Sequence, residues 1–147
     1  MIRATRIVPA AEPKSATDSI ELDFDQRHRR RIAMTSQSGR EFLLDLPRAA
    51  AIQHGDGLEL DDGTVIVVQA KPEAVADIQA KNEQHLNRIA WHLGNRHLPT
   101  EILEDCLRIR DDHVIVDMVR KLGGKVTQKQ APFHPEGGAY AGHGHEH

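Results

Sequence analysis

The chain ends in His143-Gly144-His145-Glu146-His147, which places three imidazoles and a carboxylate within five positions. Gly137, Gly138 and Gly142 precede them, so the segment has little to pack and its donors can close on one ion. Neutral imidazole suits zinc, copper, iron and nickel, and a short histidine-rich tract reads as a transition-metal ligand. A purification tag or a solvated terminus would carry histidines too, although a tag is more often an unbroken run with a linker. A second candidate lies in Gly94-Asn95-Arg96-His97-Leu98-Pro99, where His97 follows an expected helix stop and its imidazole leaves a rigid corner. Two roles fit it equally from the local sequence, a metal ligand or a loop histidine hydrogen-bonded nearby. His113, beside Asp111 and Asp112 at a helix start, is a third. Asp112 and His113 can share a borderline cation, or the aspartate can cap the helix while the imidazole is solvated. His85 and His92 are two helical turns apart, about 10 Å, too far for one ion, and are expected to be structural. His28 and His54 have no cluster around them.

Other chemistry is poorly supplied. The chain has no glycine-rich phosphate loop, no His-Glu-x-x-His helix and no Gly-x-Ser-x-Gly elbow. A catalytic metal site holds several ligands on rigid elements with one position open, whereas a corner histidine and a loose tail suit capture and release. The formal charge of −3 argues against nucleic-acid and anionic-membrane binding. Arg27-His28-Arg29-Arg30-Arg31 lacks interleaved aromatics, and strand alternation would divide it between two faces. The single Cys106 excludes an internal disulfide and a cysteine-rich zinc knuckle, and its apolar neighbours suggest a small packed thiol. The first residues lack the apolar run of a signal peptide and no stretch could span a bilayer, so a cytoplasmic location is expected.

The elements that must position these residues divide into two halves. Ile20-Glu21-Leu22-Asp23-Phe24 alternates with period two, and Phe42, Leu44 and Leu46 share a face before Pro47. Leu58–Leu60 and Thr64–Val68 flank Asp61-Asp62-Gly63, a hairpin signal for a type I′ turn. Several short strands in residues 1–71 predict a small β-barrel or sandwich. Lys71-Pro72 is the expected linker. Beyond it, Ala74–Ile78 reads as a strand. Leu86, Ile89, Ala90 and Leu93 form the stripe of a helix over about 82–93, stopped by a left-handed Gly94-Asn95. Two short strands follow around 100–102 and 106–110. A second helix carries Ile115, Met118, Val119 and Leu122 up to Gly123-Gly124, and a last strand covers 125–130. The order βαββαβ over 72–131 predicts a ferredoxin-like domain, making the chain α+β. Residues 132–147, rich in Pro, Gly and His, are expected to be a flexible tail without metal.

Several stretches together resemble the urease accessory nickel metallochaperone family. They are Arg27–Arg31, Leu44-Asp45-Leu46-Pro47-Arg48, Gly55-Asp56-Gly57-Leu58, Ala90 through Pro99, Asp112-His113-Val114 and Pro132 through Tyr140. The resemblance implies a β-rich peptide-binding domain and a ferredoxin-like domain that binds metal and dimerises. It places the interfacial ligand on His97, one from each subunit, and tail ligands among His143, His145 and His147. Some members carry extra histidines before the second helix, where only His113 stands here. The implied function is delivery of Ni(II) for assembly of the urease active site, with the urease accessory GTPase and apo-urease as recipients. Zn(II) and Cu(II) would compete, because these donors do not by themselves select nickel. Metal storage, a metal-responsive regulator, and more remotely a small metallohydrolase are the other readings.

Overall fold

The computed structural model describes residues 1–12 and 14–137. The chain divides into two compact units, Met1–Lys71 and Pro72–His147.

In the first unit, strands β1 (Arg3–Val8), β2 (Ala16–Leu22), β3 (Arg31–Thr35), β4 (Glu41–Asp45), β5 (Gly57–Leu60) and β6 (Val65–Ala70) form one sheet, ordered β2-β6-β5-β1-β4-β3. Alternation puts Phe42, Leu44, Leu58, Leu60, Ile66 and Val68 in its core, where each is at most 2% exposed. The sheet curls until its outer strands meet. Gln37 N–H donates to Ser19 O at 2.7 Å, and Asp18 accepts hydrogen bonds from the Ser36 and Ser38 hydroxyls. Those hydroxyls hold the Asp18 carboxyl down to about 2. The hairpin between β5 and β6 departs from the predicted turn. Gly63 N–H bonds Leu60 O and Gly63 has φ +87°, while neither Asp61 nor Asp62 has positive φ. A type I′ turn needs positive φ at both central residues, so this is a type I turn closed by a left-handed glycine.

Of the arginine-rich stretch only Arg31, the exposed first residue of β3, is in a strand. Gln26–His28 form a 3-10 turn, and Arg27 is 2% exposed with its guanidinium donating to Leu22 O. Arg30 donates to Leu46 O. A buried guanidinium must find acceptors, and here backbone carbonyls supply them. These arginines brace the barrel.

The second unit contains β7 (Glu73–Gln79), α1 (Glu83–Asn95), β8 (Glu101–Ile102), β9 (Leu107–Arg110), α2 (His113–Lys121) and β10 (Lys125–Ala131). Its sheet order, β10-β7-β9-β8 with every pair antiparallel, is that of the ferredoxin-like βαββαβ fold. Ala76, Ile78, Leu107 and Ile109 form one core with Ile89 and Leu93 of α1 and Ile115, Val116 and Val119 of α2. Strand alternation puts Asp77 and Arg108 on the opposite face. There they pair in register, Arg108 Nε to Asp77 Oδ1 at 2.7 Å and Nη2 to Oδ2 at 3.1 Å. The forked bond holds the Asp77 carboxyl below its usual range and raises the Arg108 pKa.

The expectation of a loose tail from Pro132 is corrected over residues 132–137. Phe133 is fully buried, and Arg108 Nη1 donates to Pro132 O at 3.2 Å. His134 N–H donates to Glu101 Oε1 at 2.9 Å and Glu136 N–H to Thr100 O at 2.8 Å. A phenyl ring between two prolines has apolar area enough to order a segment whose composition suggested none.

Candidate metal centre

Helix α1 ends where the best ordered candidate begins. Leu98 N–H donates to Leu93 O at 3.2 Å and His97 N–H to Gly94 O at 2.9 Å. These two bonds are the Schellman motif, with Arg96 as C-cap and His97 at the left-handed position that glycine usually fills. His97 has φ +58°, and no other non-glycine among the described residues has positive φ. The predicted stop at Gly94-Asn95 therefore falls inside the helix. The stop is set instead by Leu93, fully buried, and Leu98, packed on the same core five residues on. That apolar pair is the usual companion of the motif.

Histidine tolerates the left-handed region better than most residues, yet the conformation still costs about 1–2 kcal/mol. The His97 side chain is exposed and makes no hydrogen bond or ion pair among the described residues. Both ring nitrogens are open to a ligand. The backbone beneath them is held by a capped helix end and by Pro99, so the imidazole starts from a fixed point.

His85 is employed differently. Lys81 N–H donates to its Nδ1 at 3.0 Å, and its Nε2 lies 2.8 Å from Leu122 O. The first bond requires a bare Nδ1, so Nε2 carries the proton and donates. His54 accepts from Ala70 N–H, and His28 contacts Phe24 O. His92 packs edge-on against Trp91. At the start of α2, Asp112 caps the helix, its Oδ1 accepting from Val114 N–H at 2.9 Å and Ile115 N–H at 3.3 Å. His113 is the first helical residue and is exposed. No three His, Cys, Asp or Glu side chains gather to hold an ion among the described residues. His143, His145 and His147 lie outside those residues. Cys106 is buried, and desolvation pushes its thiol pKa up, away from the thiolate that binds metal.

The charged row Asp77, Arg108, Glu101 and the buried Phe133 were missed from the sequence. Their signals were present, since Glu101 and Arg108 are cross-strand partners of opposite charge. No helix of the described residues is long and apolar enough to cross a membrane.

Two family models cover nearly all of the sequence. The UreE urease accessory protein N-terminal domain matches residues 4–71 and the C-terminal domain residues 73–147. The urease accessory protein UreE of Rhodopseudomonas palustris strain HaA2 is 58% identical over 142 residues, covering 96% of this chain and 66% of that protein. Its counterpart in Bradyrhizobium sp. strain ORS 278 is 56% identical over 148 residues, covering 100% and 70%. That of Rhodobacter capsulatus is 43% identical over 150 residues, covering 100% and 94%. The chain thus spans about two thirds of the length of the first two relatives.

Proposed function

Because this chain belongs to the UreE urease accessory protein family, we propose that it is a cytoplasmic nickel metallochaperone acting as a homodimer. Ni(II) is its cargo, held between two copies of His97, and the chain serves urease assembly by delivery rather than by turnover. The observation that carries this reading is the His97 corner, an exposed imidazole without partners among the described residues, on a strained but fixed backbone. Strain retained at an exposed position calls for a function there. One imidazole cannot hold an ion, but a two-fold axis sets two equivalent ones opposite each other. Tail donors from His143, His145 and His147 complete the shell, and their exchange offers a path to the recipient. Asp112 is occupied as a cap, so with His113 it forms at most a weak auxiliary site. The accessory GTPase and apo-urease are the proposed recipients, and Zn(II) and Cu(II) the competitors.

Nickel titration calorimetry with sedimentation tests the central claim. The expected result is one tight nickel per two chains and a dimer in solution. Monomeric chains that each bind nickel tightly would defeat it. Nickel-dependent capture of the accessory GTPase is expected alongside, whereas hydrolysis of a substrate by the metal-loaded chain would assign an enzyme instead.

A further inference from the structure

Strands β10 and β8 are the opposite edges of the second unit's sheet, separated by β7 and β9. Three strand spacings make that separation about 14 Å. Strand β10 ends at Ala131, and the hydrogen bonds that follow step across the sheet in order. Pro132 O is held by Arg108 of β9, His134 N–H by Glu101 of β8, and Glu136 N–H by Thr100 at the β8 edge. Phe133, fully buried, pins the crossing. Thr100 is three residues from His97, so their Cα atoms are no more than about 11 Å apart.

We propose that residues 132–137 are a strap that carries the chain across the sheet and fixes the origin of the histidine tail beside the His97 corner. This rests on the reading of His97 and the tail as nickel ligands. From Glu136 the chain needs seven residues to reach His143, an extended span of about 25 Å. That is ample to return over the distance from Thr100 to His97. Released at Ala131, the same histidines would start from the far edge on a chain five residues longer. Effective concentration falls roughly as the −3/2 power of that length, and the displaced origin lowers it further. Phe133, Arg108, Glu101 and Thr100 are therefore positioning residues: they raise the local concentration of donors without touching the ion.

The test is a double-mutant cycle in the full-length chain, crossing Phe133→Ala with replacement of His143, His145 and His147 by alanine. Nickel affinity is read by calorimetry. With the tail histidines present, Phe133→Ala should weaken binding about three- to tenfold. With them replaced, it should change nothing beyond about twofold, because nothing is left to position. Equal weakening in both backgrounds overturns the proposal and makes the strap structural only. Glu136→Pro, which removes the N–H bound to Thr100 while leaving Phe133 in place, should give a smaller loss of the same pattern. It serves if Phe133→Ala does not fold. A metal-free readout separates failure of the strap from failure of the ligand reading. Spin labels at Arg96→Cys and Ala141→Cys, diluted into unlabelled chain, should show a distance that lengthens and broadens when Phe133 is replaced. An unchanged distribution overturns the strap. A changed one, with no effect of the tail histidines on affinity, overturns the tail as donor.

Discussion

Helix α1 carries a histidine at each end, and the two ends use it in opposite ways. At the N-terminus Asn82 caps the helix by accepting from His85 N–H, and the His85 ring accepts in return from Lys81 N–H. The exchange resembles a capping box shifted by one residue, the imidazole bonding the N–H before the N-cap rather than the N-cap's own. The other ring nitrogen reaches Leu122 O at the end of α2, so both nitrogens are engaged. At the C-terminus His97 occupies a position where glycine would be easier, and its ring is exposed and unengaged among the described residues. A histidine whose nitrogens are both committed within the fold works as a strut. One held on a fixed corner with both nitrogens free gives up stability for reach.

The largest test of this contrast is His97→Ala. It removes two proposed donors per dimer, and the tightest nickel event should weaken at least about a thousandfold, or about 4 kcal/mol. Alanine is also strained at positive φ, so the urea midpoint should hardly move. Retained tight binding on titration would erase the difference between the two ends.

Next in size is Asp77→Asn, which breaks the forked pair and leaves Arg108 only the more distant Glu101 carboxylate, at 3.9 Å. Both side chains are under 15% exposed, so the loss should be about 3 kcal/mol, read from urea unfolding near neutral pH. Since the Asp77 carboxyl is held below its usual range, chiefly by Arg108, its stabilisation is present above the unfolded value of about 4. It is lost as pH falls through the lower folded value. Stabilities of variant and parent should therefore converge below about pH 4. A gap that stays constant well below about pH 4 would mean that the pair's charge is not what matters.

His85→Ala should cost about 1–2 kcal/mol, for two hydrogen bonds to backbone groups, and leave nickel affinity unchanged. It mirrors His97→Ala, stability moving and binding fixed. A large loss of nickel in a folded His85→Ala protein would place a ligand at the wrong end of the helix.

The two ends were not equally legible in the sequence. The period of Leu86, Ile89, Ala90 and Leu93 gave the helix and its buried face, and Asn82 as its start. Gly94 suggested a stop three residues before the left-handed residue, because glycine marks where a backbone is permitted to turn. The turn itself follows the Leu93–Leu98 contact, a tertiary preference for burying both leucines. Arg27 misled for a related reason, since a run of arginines reads as solvated until the barrel supplies Leu22 O as an acceptor. The strap was hidden by composition. Prolines and glycines around Phe133 imply disorder when averaged, yet one buried ring and three backbone-directed bonds outweigh that average.

The smallest expected change in stability is the most diagnostic. His97→Gly removes the Cβ that makes positive φ costly, while the two Schellman hydrogen bonds use only backbone and remain available. Glycine also has more freedom to lose on folding, which offsets part of the gain. The net should be stabilisation of up to about 1 kcal/mol, seen as a higher urea midpoint, together with loss of the tight nickel event. A protein made more stable by deleting its proposed ligand would show that the corner keeps histidine for binding rather than for folding. If His97→Gly instead destabilises the unit, the imidazole has a structural partner, and His97 belongs with His85.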